Sequence, residues 1–172
     1  MPGSKTTYAR QASHPMSVGA KHDRMEAFVR SLDTAGNYPP CYEGFFLCFN
    51  AGEYYEAHDV LEHLWLGCRD SNALFYKGLI QIAGGFVHLR RQFLRPGHPK
   101  DGKRLGPACR LLALGVSNIR GFGPRHMGLD VKKLCALCRK LAREIEKSGF
   151  QNNPWSPQTR PHIRVSRRLA SF

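Results

Sequence analysis

Nowhere in this 172-residue chain do about 18 apolar residues run together, the length a membrane-spanning helix needs. The opening stretch, MPGSKTTYARQASHP, has no apolar segment of the kind found in a secretory signal. The sequence therefore predicts a soluble, cytoplasmic protein with a disordered leader over residues 1–20. The Ser, Thr and Arg content of that leader leaves organelle import open. A nucleophile elbow, a P-loop, a dinucleotide-binding fingerprint and an H-E-x-x-H helix are also missing. The nearest glycine cluster, GFGPRHMG, lacks the strand and spacing those motifs require.

Acidic residues are scarce: 13 Asp and Glu stand against 26 Lys and Arg, for a net charge of +13. The shortage is uneven. Residues 1–30 hold five basic and two acidic residues, 31–70 hold one and seven, and 71–172 hold twenty and four. An acidic segment inside a basic chain is suited to holding a cation, while the basic remainder permits contact with nucleic acid or another polyanion. Six of the basic residues lie in 90–104, but no aromatic interleaving accompanies them.

Zinc-finger spacing is absent as well. Cys135 and Cys138 form a C-x-x-C with no second Cys or His pair to complete it. Four of the six cysteines, at 41, 48, 68, 109, 135 and 138, fall in apolar helix interiors, which predicts buried thiols in a reducing compartment.

Clean strand alternation does not occur, and every periodicity is helical. Apolar spacing predicts helices over 22–33, from Pro40 to the residues before Gly52, over 53–68, 73–93 and 103–119, and from an Asp130 cap to Gly149. Short connections between them predict an all-α fold, a compact antiparallel bundle of five or six helices spanning residues 21–149. Residues 150–172 carry Pro, Asn and Arg without periodicity and read as a poorly ordered basic tail.

Two polar stripes stand out. On a helical wheel Tyr54, Ala57, Val60, Leu61, Leu64 and Trp65 form one apolar face, with His58 and Glu62 together on its margin and Tyr55 and Asp59 just beyond. Glu56 and His63 fall on the far side. In the next helix Lys77, Gln81, Gly84 and His88 make a narrow stripe on an otherwise apolar surface. A helix so apolar is a central one, and its polar stripe must find partners. Gly84 and Gly85 permit close approach of a neighbouring helix or a ligand. The preceding helix is the expected partner, so His58 and Glu62 are predicted to face His88 and Gln81 across one polar pocket. Such a pocket is either a structural network or a binding site; an imidazole and a carboxylate one turn apart can share a metal ion.

The runs FNAGEYYEAHDVLEHLW, from Phe49 to Trp65, and FYKGLIQIAGGFVHL, with Gly78, Leu79, Ile80, Gln81 and His88, resemble domain of unknown function 309, a small all-helical family. MGLDV at 127–131 is similar to the start of that family's last helix, so the resemblance covers about residues 41–147. Some schemes label the family a predicted metal-dependent hydrolase. The resemblance then implies His58, Glu62 and His88 as ligands of a divalent metal ion, with Glu56 and Asp59 as candidate catalytic carboxylates. Tyr55, Trp65, Lys77 and Gln81 are the candidate contacts to an unknown small-molecule ligand. This chain has Asp59 where the family more often has Glu, one methylene shorter in reach. Three readings stay open: a metal or small-ligand site supporting hydrolysis, a non-catalytic helical scaffold or interaction module, and a polyanion-binding module using the 90–104 loop and the tail. Self-association is compatible with each.

Overall fold

Helices form where apolar residues recur every three or four positions, and they stop where Gly or Pro interrupts. The computed structural model describes residues 18–167. Six α-helices occur there: α1 (Val18–Ser31), α2 (Pro40–Asn50), α3 (Tyr54–Gly67), α4 (Asn72–Leu94), α5 (Leu105–Ile119) and α6 (Val131–Lys147). They pack against one another as an all-α bundle, with boundaries within a few residues of those expected. Helix α1 begins at Val18, so the expected leader is shortened; its remainder, residues 1–17, lies outside the described residues.

Local chemistry accounts for the ends. Pro40 opens α2, where its missing N–H is not needed. The turn before it is gathered by Glu43, whose carboxylate accepts from the amides of Gly36, Asn37 and Tyr38 at 3.0, 2.7 and 2.9 Å. Asp130 caps α6 by accepting from the Lys133 amide at 2.8 Å, a contact of about 1 kcal/mol.

Helix α4 runs through the centre, with Phe75, Leu79, Ile82, Ala83, Phe86 and Leu89 fully buried. Around it Tyr42, Phe45 and Phe49 of α2 and Tyr54 of α3 build an aromatic cluster with ring centroids about 5–6 Å apart. Each such ring stabilises by roughly 1.5–3 kcal/mol through the apolar area it removes from water. Helices α4 and α5 approach closely through facing glycines. A Cβ on Gly78 would lie 2.9 Å from the Gly115 carbonyl, and one on Gly115 would lie 2.7 Å from the Gly78 carbonyl. Neither position accepts a side chain without moving a helix.

Two expectations are corrected. A small antiparallel ribbon, β1 (Arg125–His126) with β2 (Leu129–Asp130), stands where no strand was expected. Two-residue strands are too short for alternation to show. The turn between them is set by Met127 and Gly128, both at positive φ (45° and 75°), as a tight hairpin requires. Gly128 is also hemmed in, since a Cβ there would lie 2.6 Å from the Tyr38 hydroxyl.

The second correction concerns the tail. Residues 150–167 run as an irregular strap along the bundle. Trp155 is buried, and its indole N–H donates to the Tyr54 hydroxyl at 2.9 Å. Asn153 donates to the Leu89 carbonyl at 2.8 Å, Asn50 exchanges bonds with the backbone of Ile163 at 2.8 and 2.7 Å, and Val165 bridges to Leu129. These anchors are single residues at irregular spacing, and a docked segment of that kind has no period to read.

Candidate functional site around helix α3

Helix α3 turns Tyr54, Ala57, Val60 and Leu61 into the core, which leaves His58, Asp59 and Glu62 along its half-buried margin. His58 Nδ1 lies 3.1 Å from Asp59 Oδ1. The carboxylate can only accept, so Nδ1 carries the hydrogen. One donor atom each from His58, Asp59 and Glu62 lies within 4.8 Å of the others. The Tyr55 ring stacks on the His58 ring, centroids 6.4 Å apart and planes 15° from parallel. Tyr55, exposed Glu56 and Asp59 also wall a cleft of about 830 Å³ against Lys21, Arg24 and Phe28 of α1. Trp65 is half-buried against the core, so its ring serves packing.

The polar stripe of α4 goes elsewhere. Gln81 Oε1 accepts from Asn118 Nδ2 of α5 at 2.6 Å. His88 meets Arg104, just before α5, at 3.1 Å. Arg104 has no acceptor, so its guanidinium donates and His88 Nδ1 accepts. Arg104 continues to Asp101 at 2.6 Å, and Asp101 also receives Arg95 at 3.1 Å. A Cβ on Gly84 would meet Leu111 of α5 at 3.1 Å. Lys77 is exposed. The expected pocket between α3 and α4, with His58 facing His88, is therefore not formed. Gln81 and His88 are taken by α5 and the residue before it rather than by α3.

Electrostatics separate the two regions further. Burial lowers the His88 pKa from its ordinary value of 6.5, and Arg104, Arg91 and Arg110 lower it further. Three guanidiniums beside an imidazole make a poor place for a cation. Asp101 is held below the usual carboxylate range, chiefly by its hydrogen bond from Arg104. Two basic residues of the 90–104 loop are thus paired with a buried carboxylate, Arg104 mostly covered and Arg95 still exposed.

The structure adds a group that the sequence reading passed over. His63, expected on the far side of α3, meets His22 of α1 with ring centroids 4.6 Å apart, and His22 Nε2 lies 3.0 Å from Glu26 Oε1. The signal was present: His22 and Glu26 have the same four-residue spacing as His58 and Glu62. All six cysteines are free, and Cys48, Cys109, Cys135 and Cys138 are buried as expected. Burial, then Glu53 and Glu56, push the Cys48 thiol up to about 11, which leaves it a packing residue rather than a nucleophile.

The fold defines a helical bundle that carries His and carboxylate groups on one helix margin. Residues 42–97 match the model of the family described as Domain of unknown function (DUF309). The match holds α2, α3 and α4, including His58, Glu62, Gln81 and His88. It ends in the turn after α4, short of the resemblance at 127–131. No curated protein and no solved structure matches the chain. Among the described residues no helix is long and apolar enough to cross a membrane.

Proposed function

We infer that the protein is a helical binding module whose ligand is a divalent cation, held on the margin of α3 by His58, Asp59 and Glu62. The observation that carries this reading is their convergence, one donor atom each within 4.8 Å. His58 Nδ1 and Asp59 Oδ1 stand 3.1 Å apart, about the edge separation of two ligands that each sit roughly 2.1 Å from one ion. A cation would replace the hydrogen now between them, and Glu62, one turn on, would close the third side. Mixed imidazole and carboxylate donors suit zinc and similar divalent ions, with coordination positions left for water or a ligand oxygen. A bound ion would supply Lewis acidity there.

Hydrolysis is the finer form of this reading, and the family label suggests it. Asp59 is engaged with His58, so Glu56 on the wall of the same cleft is the carboxylate left to accept a proton. Small-molecule contact in that cleft falls to Tyr55. Gln81 and His88 favour a second, structural role: both are bonded across the α4–α5 interface, and no buried side-chain N or O among the described residues lacks a partner. Those two residues belong to the scaffold.

Isothermal titration of the full chain with zinc tests the assignment. His58→Ala and Glu62→Ala should each remove one equivalent of bound ion, while His88→Ala should keep it. Full stoichiometry in His58→Ala, or loss in His88→Ala alone, would reject the α3 site.

A further inference from the structure

We propose a separate transition-metal site that bridges α1 to α3, built from His22, Glu26 and His63. It shares no residue with the margin of α3 discussed above. One donor atom from each of the three residues lies within 4.8 Å of the others. His22 Nε2 and Glu26 Oε1 are already 3.0 Å apart, about the separation of neighbouring ligands on an ion that sits 2.0–2.2 Å from each. Two imidazoles and one carboxylate form the donor set of many zinc and iron(II) centres, and leave positions open.

The bland alternative is an exposed ion pair, since His22 and Glu26 are one turn apart and about half exposed, at 53% and 46%. Such a pair contributes little to stability and needs nothing from α3. It does not account for His63. That imidazole arrives from a different helix with its ring tilted 46° to His22 at 4.6 Å. If both rings were protonated they would repel. A cation between them converts the apposition into a bond.

The surroundings fit a metal that tightens an interface. Helix α1 contributes one buried core residue, Val29, among its described side chains, with Phe28 half-buried against the bundle and Leu32 just beyond its end. Few apolar anchors hold its first two turns, where His22 lies. Beside the cluster Glu26, His63, Val29, Leu32, Pro40 and Cys41 wall a hollow of about 460 Å³, which leaves an approach for an ion and its water. Arg30 also borders this hollow, so the site favours a soft ion bound by nitrogen over one attracted by charge alone. Closing it would cross-link two helices and order the α1 side of the cleft that holds Tyr55, Glu56 and Asp59.

The test uses the full chain, zinc in calorimetry, and hydrogen exchange on α1 with and without zinc. His63→Ala and Glu26→Gln should each remove one equivalent or weaken it at least tenfold, and should abolish the zinc-induced slowing of exchange across residues 18–31. Glu26→Gln keeps helix and shape, so its effect is not one of folding. His58→Ala should leave this equivalent intact, which separates failure here from failure of the α3 site. Unchanged zinc affinity in either His63→Ala or Glu26→Gln, or α1 exchange that is the same with and without zinc, overturns the proposal.

Discussion

At His88 the imidazole acts as an acceptor, because the group that reaches it, Arg104, has only donors to offer. Keeping that ring neutral is part of the fold. Burial, then Arg104, Arg91 and Arg110, lower its pKa from 6.5, and burial lowers that of His126 as well. The unfolded chain therefore takes up a proton at higher pH than the folded chain does. The stabilising contribution is complete above the unfolded value near 6.5 and is lost as pH falls towards the lowered folded value. Chemical denaturation between about pH 7.5 and 5.5 should show stability falling with acid, and His88→Gln should flatten the slope. An identical slope in the variant would mean that His88 is solvated rather than held beside the arginines.

Among the elements, the strap over 150–167 and the α4–α5 interface carry the most information about how the bundle closes. Trp155 seals the strap, in contact with Phe93 and Tyr54 at 5.5 and 6.0 Å between centroids. Trp155→Ala should cost about 3–5 kcal/mol in a denaturant titration, the range for removing a large buried aromatic. A loss under about 0.5 kcal/mol, the size of an ordinary surface change, would show that the strap does not dock. The six helices were legible in the sequence because each carries an apolar stripe between clear breakers, such as the Asn-Tyr-Pro-Pro run before α2 and the Arg-Pro-Gly run after α4. The strap was not, because Trp155, Ile163 and Val165 anchor it singly. The margin of α3 was legible from the spacing of His58 and Glu62. Its partner was not: α4 is apolar on both sides of its polar stripe, so the stripe could match either neighbour, and the Gly78–Gly115 approach decides for α5. The pairing of His22 with His63 needed the angle between α1 and α3, which no periodicity encodes.

At the scale of the bundle, two polar groups are set apart by their charge. Arg95 and Arg104 are drawn to Asp101, and Arg104 to His88, where a cation would be repelled. The His58, Asp59 and Glu62 side chains of α3 converge on one another and take no part in that network. On the proposed reading a cation sits at the α3 margin and not at the α4 stripe. The most direct measurement is anomalous diffraction at the zinc edge from crystals of the full chain grown with zinc. A peak is expected about 2.0–2.2 Å from a ring nitrogen of His58 and a carboxylate oxygen of Glu62, and none beside His88. A peak at His88, or an empty α3 margin at saturating zinc, would contradict it.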